Sequence, residues 1–143
     1  MYRSPGSGEN RMSERPMVMV VEDDLEMNEL ECELLAAYGL GSLPAYTGTE
    51  ALDLASRTPA DAVLLDVMLP EMDGFETCQR LRQIFRNLPI VLVTALDSDD
   101  CRRRGFDAGA NAYFAKPFNP DEIVGTLQRL LSENGNNGGG KIA

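Results

Sequence analysis

The sequence predicts an α/β protein: a doubly wound five-stranded parallel sheet with helices on both faces. Three observations carry that expectation. Apolar runs of strand length alternate along the chain with segments of helical period, the pattern of a parallel sheet whose crossovers cover both faces. The helical segments open on recognisable capping residues. And 143 residues with 43% hydrophobic content suffice to bury one core without metal or disulfide staples.

The first strand is the apolar run Met17–Val21, which ends in Glu22-Asp23-Asp24, and Asp24 reads as the N-cap of the first helix. The second strand is the faintest, reduced to Ala45–Tyr46. Thr47 and Glu50 stand at capping-box spacing and open the next helix. Ala62–Leu65 is the third strand and runs into Asp66; Asp73 then caps a helix carrying Phe75, Cys78 and Leu81. The fourth strand, Ile90–Val93, runs into Thr94. The helix from Asp99 to Ala108 is weaker, offering only Cys101, Phe106 and small residues to a core. Its Gly105 costs about 1 kcal/mol relative to alanine, so this segment should be the least firmly packed. The fifth strand, Ala112–Ala115, runs into Lys116. Asn119-Pro120 gives an N-cap with proline at the first helical position, and Ile123, Leu127 and Leu130 repeat at core-facing spacing. The expected organisation is one domain at 17–131 between disordered tails, 1–16 and the Gly/Asn-rich 132–143.

Composition narrows the chemistry. With 23 acidic against 13 basic residues the net charge is -10, the wrong sign for direct contact with nucleic acid. Cys32, Cys78 and Cys101 lack the CxxC spacing of zinc or redox sites and read as reduced thiols of a cytoplasmic protein. No apolar run approaches the roughly 20 residues of a membrane span, so no membrane partner is expected. The sequence contains no histidine, which excludes any mechanism with imidazole of this chain as base, ligand or phosphate carrier.

In a doubly wound sheet, ligands bind beyond the carboxyl ends of the strands. Those ends carry Glu22, Asp23, Asp24, Asp66, Thr94 and Lys116: four carboxylates, one hydroxyl and one amine at one edge. Any one of them alone is a polar residue where a strand meets water. Together the carboxylates cost stability unless something binds them, and a hard divalent cation is the simplest remedy.

The segments Val-Met-Val-Val-Glu-Asp-Asp, Leu-Leu-Asp-Val-Met-Leu-Pro-Glu-Met-Asp-Gly, Val-Leu-Val-Thr-Ala and Tyr-Phe-Ala-Lys-Pro-Phe, in this order and spacing, resemble the receiver domain of bacterial response regulators from residue 17 to about 131. The resemblance implies a flavodoxin-like (βα)5 receiver fold and a phosphorylation-dependent signalling switch in a two-component phosphorelay. It implies Asp66 as phosphoryl acceptor, with Asp23, Asp66 and the backbone carbonyl of Met68 as ligands of Mg2+, or alternatively Mn2+, and Glu22 holding a metal-bound water. It implies that Lys116 and Thr94 contact phosphoryl oxygens and that Tyr113 is a switch aromatic whose burial follows the movement of Thr94. Taken alone, Tyr113 is a half-exposed strand aromatic. Lys116-Pro117 resembles the family's cis peptide bond.

A phosphohydrolase of the haloacid dehalogenase type also uses a strand-end Asp with Mg2+, but it needs a second Asp where this chain has Met68. No GxxxxGK[ST] loop supports a nucleotide switch. A degenerate receiver acting as a constitutive interaction module is disfavoured because every expected site residue is present. The chain therefore reads as no enzyme, limited to self-phosphorylation from small donors and slow self-dephosphorylation. Its expected partners are a histidine kinase or phosphotransfer protein and an unnamed downstream protein. About a dozen residues past the last helix cannot form an output domain, so the chain is expected either to work alone or to be a piece of a longer protein. Receivers tied to winged-helix domains carry an acidic pair before the switch aromatic and a basic residue in the last helix; here those positions are Asn111, Ala112 and Thr126, so that mode of dimerisation is not expected. Arg102, Arg103 and Arg104 splay about 100° apart on a helix and read as a solvated, salt-bridged face.

Overall fold

A computed structural model describes residues 15–136. The elements follow in strict alternation: β1 (Met17–Val21), α1 (Leu25–Ala37), β2 (Gly41–Ala45), α2 (Gly48–Arg57), β3 (Ala62–Asp66), α3 (Gly74–Ile84), β4 (Ile90–Thr94), α4 (Asp99–Asp107), β5 (Ala112–Ala115) and α5 (Pro120–Asn136). All strands are parallel, in the order β2-β1-β3-β4-β5. The chain winds outward from β1 in one direction and from β3 in the other. The crevice where the order reverses therefore lies at the carboxyl ends of β1 and β3.

The period of two in a strand divides the core. Met19, Val21, Val63, Leu65 and Leu92 face α2 and α3, where Ala51, Phe75, Cys78 and Leu81 meet them. Val18, Val20, Leu64, Val91 and Val93 face Leu35 of α1 and Ile123, Leu127 and Leu130 of α5. Because β1, β3 and β4 are buried on both sides, they read as unbroken apolar runs.

The expected caps are in place. Asp24, Thr47, Asp73 and Ser98 each accept a hydrogen bond from a backbone N–H in the first turn of α1, α2, α3 and α4. Asn119 accepts from Asp121 N–H at 2.9 Å and so caps α5. The capping box at α2 is shifted by one residue, since Glu50 accepts from the N–H of Tyr46 rather than that of Thr47.

Three expectations change. The second strand is Gly41–Ala45, not Ala45–Tyr46: Gly41, Ser42 and Pro44 give no strand signal, yet an edge strand tolerates them. Phe106 does not enter the core but stands 49% exposed, and Gly105 is the buried residue of α4. The last helix passes residue 131 and reaches Asn136, helped by an Arg129–Glu133 pair at 3.1 Å and by Asn134 donating to the Asn87 carbonyl at 2.9 Å. The remainder of the two expected tails, 1–14 and 137–143, lies outside the described residues. No helix among the described residues is long and apolar enough to cross a membrane. All three cysteines are free thiols.

Candidate functional site

β1 delivers Glu22 to the crevice, 3% exposed, while Asp23 beside it faces solvent. The carboxylate of Glu22 turns back, its Oε2 accepting from the Asp24 N–H at 3.0 Å. Asn28 of α1 fixes this strand end from behind: its buried amide donates to the carbonyls of Val20, Glu22 and Ala45, each at 3.1 Å. β3 ends on Asp66, 5% exposed, whose Oδ1 accepts from the Met68 N–H at 2.9 Å. The loop after it leaves no room to spare. A Cβ on Gly74 would stand 2.3 Å from the Asp66 carbonyl oxygen, so only glycine lets α3 begin against the end of β3.

Lys116 comes from β5 on a cis bond to Pro117. Its ammonium lies between the two buried carboxylates, donating to Asp66 Oδ2 at 2.8 Å and to Glu22 Oε1 at 2.9 Å. Burial alone would lower the Lys116 ammonium, but its bonds to Asp66 and then Glu22 outweigh that and hold it above its ordinary range. Glu22 is pushed up by burial and by the neighbouring Asp66, against the pull of the Asp24 N–H and Lys116.

Thr94 closes β4 with no exposed surface, its Oγ1 accepting from the Leu96 N–H at 3.1 Å. Tyr113 is 5% exposed, which sets aside the half-exposed reading, and its hydroxyl donates to the Leu96 carbonyl at 2.7 Å. Met68 and Leu96 sit at the rim with 55% and 38% exposure. The three arginines of α4 do splay, and each finds a different partner. Arg102 lies over the Tyr113 ring, Arg103 pairs with Asp100 in solvent, and Arg104 lies over Phe75.

The crevice thus brings Glu22, Asp66 and Lys116 into direct contact, with Asp23 and Thr94 at its sides. Among the described residues, no three Asp, Glu, His or Cys side chains stand as a complete metal cage. The donor set nonetheless fits a small hard cation, which needs only one or two carboxylates and completes its shell with water. Two residues escaped the sequence reading. Asn28 and Glu31 are polar but face inward from α1, while Leu25 and Leu30 of the same helix are exposed. The signal was present as inverted amphipathicity, polar at the core-facing spacing and apolar outside it.

A sequence model of the response regulator receiver domain matches residues 18–128. The chain belongs to that family. Among its curated relatives, the response regulator MprA of Mycobacterium sp. strain KMS is 42% identical over 114 residues, covering 80% of this chain and 50% of that protein. MprA of Mycobacterium avium strain 104 is 40% identical over the same coverage. The chain therefore spans about half the length of the curated relatives it matches. Among solved structures, the receiver domain of Francisella response regulator 1452 aligns with a TM-score of 0.80 at 29% identity, covering 84% of this chain and 99% of that one. The chemotaxis protein CheY4 of Vibrio cholerae aligns with a TM-score of 0.76 at 30% identity, covering 81% and 98%. Receivers of this family are phosphorylation-dependent switches rather than enzymes in the ordinary sense, take part in two-component signalling with histidine kinases or phosphotransfer proteins, and generally use Mg2+.

Proposed function

We propose that this chain accepts a phosphoryl group on the carboxylate of Asp66 from the phosphohistidine of a kinase or phosphotransfer protein and passes the signal on as a changed surface. The observation that carries the proposal is a buried strand-end carboxylate at the switch point of the sheet, held by the ammonium of Lys116 and neighboured by a buried hydroxyl, Thr94. An oxygen of Asp66 attacks the phosphorus, the P–N bond of the donor breaks, and the imidazole leaves with that electron pair. Lys116 then exchanges its bond to the free carboxylate for one to a phosphoryl oxygen, and Thr94 donates its hydroxyl proton to another. When bound, a divalent cation held by Asp23, Asp66 and the Met68 carbonyl, with Glu22 acting through water, supplies the positive charge that lets an anionic donor approach. The Tyr113 hydroxyl and the Thr94 oxygen both engage Leu96, which supports reading this pair as the moving part. The net charge of -10 supports a protein partner over nucleic acid, and the free thiols suit the cytoplasm.

Incubation with acetyl phosphate and Mg2+ should add one acid-stable, base-labile phosphoryl group per chain. Asp66→Asn should abolish the labelling, and undiminished labelling in that variant would overturn the assignment.

A further inference from the structure

We propose that Arg102 is a positioning residue of the switch, a latch that holds Tyr113 in its buried place and sets how much of the unphosphorylated chain occupies that arrangement. The inference deepens the reading of Thr94 and Tyr113 as the moving pair and rests on it. Arg102 reaches across from α4 to three points at once. Its guanidinium carbon lies 5.1 Å from the centroid of the Tyr113 ring, within cation–π range. Its Nη1 donates to the Tyr113 carbonyl at 3.4 Å, and its Nε donates to Asp97 Oδ1 at 3.2 Å in the loop that joins β4 to α4.

Gly105, one turn further along, supplies the other half of the slot. A Cβ there would stand 2.9 Å from Tyr113 Cδ2, so the missing side chain makes the space that the ring fills and Arg102 closes it. Arg103 and Arg104 have other partners, so of the three arginines only Arg102 is placed for this work. The link to the site is short. The Tyr113 hydroxyl donates to the carbonyl of Leu96, and the N–H of the same Leu96 donates to Thr94 Oγ1. A ring that swings out releases the Leu96 carbonyl, and so loosens the residue whose N–H donates to Thr94 Oγ1. An exposed ion pair with Asp97 contributes little alone, but a cation held over the ring by that anchor shifts the balance of buried and outward forms by about two- to five-fold.

The test uses the full chain labelled with 3-fluorotyrosine, with the Tyr113 fluorine resonance assigned through Tyr113→Phe and read without phosphorylation. Arg102→Met keeps the aliphatic stem and should move that resonance toward its solvent-exposed position, corresponding to a two- to five-fold larger outward population. Arg102→Lys, which keeps a cation over the ring, should recover part of the shift, a rescue that mere surface packing does not predict. Tyr38 and Tyr46 are internal controls for an intact fold. If Arg102→Met disturbs those controls, Asp97→Asn decides, because it unanchors Arg102 without removing it and should move Tyr113 alone. A Tyr113 resonance unmoved in the decisive variant, or a shift that Arg102→Lys does not reduce, overturns the latch. The measurement is made on unphosphorylated protein, so it stands apart from the acceptor assignment, whose failure appears only as undiminished labelling of Asp66→Asn.

Discussion

Glu31 is the residue whose environment departs furthest from what its type requires. It is 3% exposed on the inward face of α1, and its Oε2 has no hydrogen-bond partner. Burial, with smaller repulsion from Glu22 and Asp66 set against attraction from Lys116, pushes its carboxyl up to about 7. The native chain keeps this proton up to about pH 7, whereas the unfolded chain loses it near 4.5. Between those values the native state binds more protons, so stability falls as pH rises through the window, by about 3 kcal/mol in total. Glu31→Gln should therefore gain on the parent chain by about that amount between pH 4.5 and pH 7.5 in urea titrations. A constant difference across this range would mean that Glu31 finds a partner when ionised. The inverted pattern of α1, polar inside and apolar outside, could have flagged this residue, but a search that takes inward positions to be apolar passes over it. If Asp66 carries the phosphoryl group as proposed, the family resemblance sets the exposed Met68 and Leu96 beside the approach of an attacking water. Neither offers that water a strong acceptor, since a thioether is a weak one and leucine has none. The Met68→Asn, Leu96→Glu double variant should speed phosphoryl loss at saturating Mg2+, and unchanged decay would assign both residues to packing alone.

The central strands were legible because they are buried on both faces, and β5, only partly buried, was also read at Ala112–Ala115. β1, β3 and β4 lie between two helical layers, so burial alone dictates their composition and the apolar runs locate them within a residue. β2 is an edge strand of sequence Gly-Ser-Leu-Pro-Ala, held by register with β1 rather than by its own preferences, so the local signal placed a strand here but caught only its last residue, Ala45. α4 was expected to be weak because of Gly105, and the structure gives that glycine a second meaning. Helix propensity alone predicts that alanine at 105 stabilises α4 by about 1 kcal/mol. The added Cβ, however, would lie 2.9 Å from both Leu92 Cδ1 and Tyr113 Cδ2, and a ring clamped from the other side cannot yield as a leucine methyl can. Overpacking of this kind costs about 1–3 kcal/mol, so the clash wins. Gly105→Ala should lower the free energy of unfolding by about 1 kcal/mol. A variant more stable than the parent would show that α4 can lift away from β4 and β5 freely.

At the scale of the whole molecule, the gathering of Glu22, Asp66, Thr94 and Lys116 at one edge was legible because a strand-end position fixes where a side chain arrives without knowledge of packing. The contacts were not, since Lys116 meets partners 94 and 50 residues away and spacing carries no distance in space. Those contacts have a consequence for the stability of the entire fold. The described crevice sets Glu22, Asp23 and Asp66 against one ammonium in a chain already carrying a net charge of -10. Lys116 compensates the two buried carboxylates, while Asp23 stands outside with no such partner in the triad. A divalent cation that binds the folded crevice, and not the dispersed carboxylates of the unfolded chain, stabilises the fold by mass action, by about 2.7 kcal/mol at a hundred times its Kd. For a domain of this size, that corresponds to a rise in melting temperature of about 10 °C. Simple screening of the acidic surface also stabilises, so the comparison is made against NaCl at equal ionic strength. Asp23→Asn removes the exposed carboxylate without touching the Lys116 contacts, and it should cancel most of the Mg2+ increment while leaving the NaCl response intact. An Mg2+ increment of equal size in that variant would put the ion elsewhere on the acidic surface and leave the crevice to Lys116 alone.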